Sequence, residues 1–178
     1  MWLYSFIFHK LMGWKLQGSF DPAIKKSVVI IAPHTHWNDF TVGVFARKLL
    51  RTKIHFVGKK ELFKWPMGAY FRWMGGYPLD RTPGQNKVEA IAALFEKYEE
   101  LRMAIAPEGT RKKVEIWKTG FYYIAQKANV PIIAVAFDYG TKTLIVHPPF
   151  DITGDIEKDT AALKAKYEGV VGKVPEYT

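Results

Sequence analysis

Segments whose apolar residues form short runs alternate along the chain with segments whose apolar residues recur at helical spacing. Short apolar runs with β-branched residues, typical of buried strands, occur at Val28–Ala32, Ile54–Val57, Tyr77–Leu79, Met103–Ala106, Pro131–Phe137 and Leu144–Val146. Apolar residues at helical spacing predict helices at about Phe40–Leu50, Glu61–Met74, Gln85–Leu101, Gly120–Ala128 and Ile156–Tyr167. Because strands and helices alternate, we expect an α/β layered fold with a largely parallel mixed sheet flanked by helices.

The first 18 residues form an aromatic segment for which we predict an amphipathic helix. Its apolar run is interrupted at His9 and Lys10, well short of the roughly 20 residues that span a bilayer. It also lacks the basic start and the cleavage site of a signal peptide. A helix in a membrane interface and a helix docked on the core both fit this segment. We therefore divide the chain into an N-terminal interfacial segment, 1–18, and one compact domain, 19–178.

Composition narrows the possible chemistry. The 178 residues contain no cysteine, which excludes disulfides, thiolate metal sites and a cysteine nucleophile. The serines are Ser5, Ser19 and Ser27, and none lies in a G-x-S-x-G motif, which argues against a serine acyl-enzyme. The net charge of +9 predicts an anionic partner, such as a nucleic acid, a membrane surface or a phosphorylated substrate. Because no nucleic-acid-binding motif is present, we expect no nucleic acid among the partners.

The loop after the first predicted strand carries His34 and Asp39, five positions apart. In parallel sheets, ligands bind outside the carboxyl ends of the strands. The two side chains can meet only where the chain turns, as it does between a strand and a helix. Asp39 would then accept a hydrogen bond from one ring nitrogen of His34 and leave the other nitrogen as a base. Alternatively, Asn38 or Asp39 only caps the following helix.

A metal site is a second interpretation of the same loop. His34, His36 and Asp39 approach the H-x-H-x-D pattern of binuclear metallohydrolases. The carboxylate lies one residue too far along, however, and no histidine follows it. A metal-dependent hydrolase therefore stays as the alternative function.

Two further loops follow predicted strands. Arg81 lies where a guanidinium could grip an oxyanion with two hydrogen bonds, although an ion pair with Asp80 is the simpler interpretation. The run Pro107–Arg111 follows another apolar strand, and Gly109 permits backbone angles that turn successive amides toward an anion. A solvated turn would explain the same run.

Four motifs, in this order, resemble those of the glycerolipid acyltransferase family, whose best-known members acylate lysophosphatidate. The family's N-H-x-x-x-x-D, G-x-x-[FP]-x-x-R, F-P-E-G-[ST]-R and V-P-[IV]-[IV]-P motifs match, in turn, His34 with Asp39; Gly75, Pro78 and Arg81; Pro107–Arg111; and Val130–Ile133. The run Gly58–Leu62 is similar to the family's basic stretch before the second motif. The resemblance extends from about Val28 to Val135. The chain departs from the family pattern at Pro33, His36, Ala106 and Ala134.

The resemblance implies transfer of a fatty acyl group from acyl-CoA or acyl-carrier protein to the free hydroxyl of a lysophospholipid. It implies a general base, His34, oriented by Asp39, with no covalent intermediate and no cofactor beyond the acyl donor. Residues implied in substrate binding are Arg81, Glu108, Gly109, Thr110 and Arg111, with Lys59 and Lys60 added from the basic stretch.

The resemblance also implies peripheral attachment at the cytoplasmic face of a membrane. The aromatic and basic run from Leu62 to Met74 fits an interfacial surface or an acyl-chain groove, and it fits ordinary core equally well.

Overall fold

The computed structural model describes residues 1–79 and 86–178, and this part of the chain contains a seven-stranded mixed sheet of order β1-β7-β6-β2-β5-β3-β4. The strands are β1 (Lys15–Gln17), β2 (Lys26–Ala32), β3 (His55–Lys59), β4 (Gly76–Leu79), β5 (Leu101–Ile105), β6 (Ile132–Asp138) and β7 (Thr143–Phe150). The pairs β2–β5, β2–β6, β3–β5 and β3–β4 are parallel, whereas β6 and β7 are antiparallel. The predicted α/β layered fold is confirmed.

Helices cover both faces of the sheet. The α-helices are α1 (Trp2–Ser5), α2 (Asn38–Leu49), α3 (Gly68–Trp73), α4 (Lys87–Lys97), α5 (Gly120–Ala128) and α6 (Ile156–Ala165). Helix α1 continues as a π-helix, Phe6–Leu11, and short 3-10 helices occur at Lys60–Phe63 and Pro175–Tyr177. The caps explain several boundaries, since the side chains of Asn86 and Asp155 accept from the third residue of α4 and α6.

Alternate residues of the central strands enter two different cores. Val28 and Ile30 of β2 pack with the cluster under α4 and α5, whereas Val29 packs with the cluster under α2 and the N-terminal segment. The same alternation separates Ile132 from Ile133 on β6. The period-two pattern of a strand thus divides each apolar run between the two helical layers.

The N-terminal segment docks on the core with one part of its surface and leaves another part exposed. Phe8 and Trp14 are buried in the second core, where each apolar side chain contributes about 1.5–3 kcal/mol. Trp2, Leu3 and Leu11 remain exposed. Strand β1, which the sequence analysis did not predict, pairs in parallel with β7 at the sheet edge. Its three residues are too few and too polar to show a strand period.

The single helix predicted over Glu61–Met74 is wrong. The chain forms the 3-10 turn, opens over residues 64–67 and then begins α3. Pro66 explains the break, because it lacks an N–H and disfavours helical backbone at the preceding Trp65. The helix predicted over Gln85–Leu101 also ends early, at Lys97, and Leu101 begins β5.

Five neighbouring strands end at one edge of the sheet. Strands β6, β2, β5, β3 and β4 run parallel, so their carboxyl ends lie side by side. Every loop singled out in the sequence follows one of these strands. No helix in the described ranges is long and apolar enough to cross a bilayer.

Candidate active site

His34 and Asp39 meet at the carboxyl end of β2. The chain turns between the strand and α2, and Asp39 lies in the first turn of that helix. His34 Nδ1 lies 2.9 Å from Asp39 Oδ2. The His34 side chain is 26% exposed, whereas Asp39 is only 3% exposed. No described residue hydrogen-bonds His34 Nε2, which leaves that ring nitrogen available as an acceptor.

Two further groups hold the Asp39 carboxylate. The backbone N–H of His36 donates to Oδ2 at 3.2 Å, and the Tyr139 hydroxyl donates to Oδ1 at 2.7 Å. Burial, together with the hydrogen bond to Asp39, raises the pKa of Tyr139 above its ordinary value, so this hydroxyl stays protonated as a donor. Asp39 therefore orients His34 while its own orientation is fixed from both oxygens.

Glu108 supports the same loop from the neighbouring strand. Its Oε2 accepts a hydrogen bond of 2.9 Å from the backbone N–H of His34. Burial raises the pKa of Glu108, and the amide and imidazole of His34 oppose that shift. One oxygen of the residue expected to bind substrate is thus occupied in holding the backbone of the candidate base.

The rest of the loop after β5 is exposed and basic. Gly109 has φ +66°, and a Cβ there would lie 2.8 Å from the Lys118 side chain. Thr110 Oγ1 accepts from the Lys112 N–H at 3.3 Å. The Arg111 side chain is exposed. A left-handed turn carrying several cations suits the binding of an anion.

Lys59 is the last residue of β3, two strands from β2, and Lys60 follows it. Adjacent strands are about 4.8 Å apart, so β3 lies about 10 Å from β2 across the sheet. Lys59 pairs with Leu79 at the end of β4, and both lysines are exposed. The predicted oxyanion-binding residue, Arg81, lies outside the described residues.

The metallohydrolase alternative receives no support. His34 and Asp39 hydrogen-bond each other, and His36 Nδ1 accepts from the backbone N–H of Asn38 at 3.1 Å. The ranges 1–79 and 86–178 contain no group of three or more acidic or histidine side chains arranged for a metal ion.

The sequence analysis did not predict that Tyr139 belongs to the site, or that Trp14 packs against it. Tyr139 directly follows β6, and its ring packs edge-on against Trp14 with centroids 4.8 Å apart. A usable signal was present, because β6 carries the fourth motif and its end also belongs to the site edge. Applying the strand-end rule to that strand would have pointed to residues 138–139.

The comparisons with known proteins agree with this geometry. Residues 15–138 match the family model described as Acyltransferase. The fold is similar to the crystal structure of the 1-acyl-sn-glycerophosphate (LPA) acyltransferase PlsC from Thermotoga maritima, with a TM-score of 0.63 and 20% identity over 93% of this chain and 75% of that one. No curated protein sequence matches the chain significantly. The chain therefore belongs to the acyltransferase family, as its four motifs predict.

Proposed function

We propose that this enzyme transfers a fatty acyl group from a thioester donor, acyl-CoA or acyl-carrier protein, to the free hydroxyl of a lysophospholipid. One observation carries the proposal. The two residues of the first family motif form a hydrogen bond, in which Nδ1 of the partly exposed His34 donates to the buried Asp39. The similar Thermotoga maritima protein is a 1-acyl-sn-glycerophosphate acyltransferase, which supports a lysophosphatidate-like acceptor.

In the proposed reaction, His34 Nε2 removes the proton of the acceptor hydroxyl as its oxygen attacks the thioester carbonyl. The new C–O bond forms, the C–S bond breaks, and the departing thiolate takes the proton from the imidazolium. Asp39 stabilises that imidazolium and keeps the proton of the resting ring on Nδ1. General-base catalysis of this kind contributes about 10²–10⁴-fold to the rate. Because the acyl group passes directly, no serine or cysteine nucleophile is needed.

The acceptor phosphate has basic partners on the same sheet edge. Arg111 on the loop after β5 and the lysines 59 and 60 at the end of β3 flank the site. Arg81 is proposed as a further phosphate ligand on the basis of its motif alone. Glu108 would act mainly through the His34 backbone, with the glycine and threonine that follow it shaping the anion site.

The direct test incubates the purified protein with labelled acyl-CoA or acyl-carrier protein and a panel of lysophospholipids. We expect His34→Ala to lower transfer by about 10²–10⁴-fold. The control, His147→Ala, changes a histidine on β7 and should leave transfer unchanged. A folded His34→Ala protein with full activity would contradict the mechanism.

We further propose that this enzyme binds peripherally to an anionic membrane surface, the kind found at the cytoplasmic leaflet. Trp65 is 94% exposed, and Trp73, Met67 and Tyr70 are also exposed on the same short segment. Lysine and arginine side chains at positions 64 and 72 accompany them. Tryptophan beside basic residues suits the headgroup level of a bilayer.

Arg47 joins this segment to helix α2. Its guanidinium donates to the Met74 carbonyl at 2.6 Å, at the end of α3. Burial lowers the pKa of Arg47, and the nearby hydroxyls of Tyr70 and Tyr4 oppose that shift. Tyr4 also packs on Phe45 of α2. Helix α2 thus contacts both exposed aromatic regions, one through Arg47 and the other through Phe45, which supports a single membrane-binding surface.

Flotation with vesicles of phosphatidylglycerol and phosphatidylcholine tests this surface. Replacing Trp65 and Trp73 by serine should reduce the bound fraction at least about tenfold. Tyr123→Ser, an exposed aromatic on α5, is the control and should bind like wild type. Point variants are preferable to removing residues 1–18, because Phe8 and Trp14 belong to the core. Equal flotation of the double variant and wild type would contradict the proposal.

A further inference from the structure

The side chain of Asp39 is held by donors from two separate parts of the chain. His34 and the His36 amide, both on the loop after β2, donate to Oδ2. The Tyr139 hydroxyl reaches Oδ1 from the end of β6, one hundred residues away. A carboxylate bonded at only one oxygen can rotate about its last torsion, whereas one bonded at both cannot.

Tyr139 is itself firmly placed. Its backbone N–H donates to the Val171 carbonyl at 2.8 Å. Its ring packs edge-on against Trp14, and Lys173 Nζ lies 5.6 Å from the ring centroid. The neighbouring Asp138 also accepts from the Val171 N–H. The N-terminal segment, β6 and the C-terminal tail thus converge on one phenol.

We propose that Tyr139 is a positioning residue, which holds Asp39 in the orientation that keeps the proton of His34 on Nδ1. The proposal rests on the general-base role of His34 given above. Tyr139 touches the carboxylate and acts on the reaction only through it.

The surroundings of Asp39 make this bond important. The Asp39 side chain is 2% exposed, so water cannot readily replace a lost donor. Charged or titratable groups facing the cluster are His34 itself, Glu108 from the loop after β5 and Lys173 beside the Tyr139 ring. Without the phenol, Oδ1 loses its donor, and the carboxylate can turn away from the imidazole.

The first experiment removes only the hydroxyl, by Tyr139→Phe. We expect kcat to fall about 10- to 100-fold, as for loss of one hydrogen bond to a charged group, with KM for the lysophospholipid unchanged. The matched control is Tyr122→Phe, since the Tyr122 hydroxyl donates at 2.9 Å to another buried carboxylate, Asp159, between α5 and α6. That control should leave kcat unchanged.

A double-variant cycle separates positioning from general destabilisation. If Tyr139 acts only through Asp39, adding Tyr139→Phe to Asp39→Asn should cost no further activity. A second loss as large as the first would overturn the proposal. Equal effects of Tyr139→Phe and Tyr122→Phe on kcat would overturn it as well.

A spectroscopic measurement keeps the test independent of activity. With ¹⁵N-labelled histidine, wild-type His34 should show the Nδ1–H tautomer, and Tyr139→Phe should show a mixture of both tautomers. If Tyr139→Phe does not fold, the hydroxyl proton of Tyr139 is followed instead, and it should lose its hydrogen-bond shift in Asp39→Ala, which has no side-chain acceptor. An unchanged tautomer, or an unchanged hydroxyl signal, contradicts the inference. Failure of wild type to acylate any lysophospholipid would overturn the proposed function, while the tautomer would still decide the role of Tyr139.

Discussion

Two buried aspartates in this molecule have nearly the same environment and different consequences. Asp159 is 1% exposed and accepts from the Tyr122 hydroxyl and from the N–H and hydroxyl of Thr153. Asp39 likewise accepts from a tyrosine hydroxyl and a backbone N–H, but its remaining donor is His34. The two sites thus differ in one donor, which is the Thr153 hydroxyl at Asp159 and the partly exposed His34 imidazole at Asp39. Only the Asp39 carboxylate can therefore support a histidine base.

The two carboxylates differ in what their hydrogen-bond donors can do besides stabilising the fold. Around Asp159 every donor belongs to the fold, so the carboxylate ties the loop before α6 to α5. Around Asp39 two donors hold the carboxylate, and its third partner presents a free nitrogen at the sheet edge. The supporting hydrogen bonds are therefore comparable, and the geometry of the third partner decides the role.

The largest expected effect is a difference in transferase activity between variants of the two aspartates. Asp39→Asn should lower transfer by about 10⁴-fold, because the amide allows the wrong tautomer of His34. Asp159→Asn should leave kcat within a factor of about two of wild type, since no acylation step passes through α6. Steady-state kinetics of both variants with a lysophospholipid acceptor gives the comparison. Comparable losses of kcat in the two variants would mean that both carboxylates act only through stability.

The next effect concerns stability, where the two sites should agree. Each aspartate accepts at least three hydrogen bonds in a buried site, and the amide of asparagine cannot accept all of them, so each Asp→Asn change should lower the free energy of unfolding by about 1.5–3 kcal/mol. Urea denaturation at neutral pH measures both values. Asp155→Asn, which keeps an N-cap residue at the exposed start of α6, serves as control and should change the value by less than about 0.5 kcal/mol. A loss confined to one site would break the parallel.

Acid pH sharpens the comparison at Asp159. Burial alone would raise the pKa of Asp159, but hydrogen bonds from Thr153, Tyr122 and Gly154 outweigh it and hold the pKa below the ordinary value. The stability from these bonds is present above the unfolded pKa of about 3.9 and is lost as pH falls through the folded value. The stability gap between wild type and Asp159→Asn should therefore narrow below about pH 4. A gap that is constant with pH would show that the carboxylate charge is not what is bound.

The smallest effect has the opposite sign and concerns Glu108. Because burial raises its pKa, its contribution to stability is present below the unfolded value of about 4.3 and is lost as pH rises through the folded value. Glu108→Gln keeps an oxygen for the His34 amide and cannot ionise, so it should gain stability relative to wild type as pH rises through that window. Thermal unfolding across that range measures the difference. The exposed Glu115→Gln is the control and should not diverge from wild type.

Prediction from sequence succeeded where the chemistry was local. His34 and Asp39 lie on one strand–loop–helix connection, so the sequence offered their meeting as one of two interpretations, and the first family motif favoured it over a helix cap. Glu108 was selected as a substrate-binding residue, but its contact with the His34 amide depends on β5 lying beside β2. The sequence of neither strand alone specifies that β2 and β5 are neighbours in the sheet.

The same limit explains the residues that were missed. Trp14 and Tyr139 are far apart in sequence, and their contact requires the N-terminal segment to dock beside β6. The three-residue strand β1 has no period to detect and is stabilised by pairing with β7. The helix over Glu61–Met74 failed for a local reason, because the apolar spacing outweighed the Pro66 signal that was already visible.

The packing of Trp14 on Tyr139 implies that mutations outside the four motifs can affect the site. Two side chains, those of Trp14 and Tyr139, connect the N-terminal segment to the carboxylate that orients His34. A mutational screen limited to the four motifs would overlook both positions. Suppressors of a weakened Asp39 should therefore arise near residue 14 or in the C-terminal tail around Val171, far from any motif in the sequence.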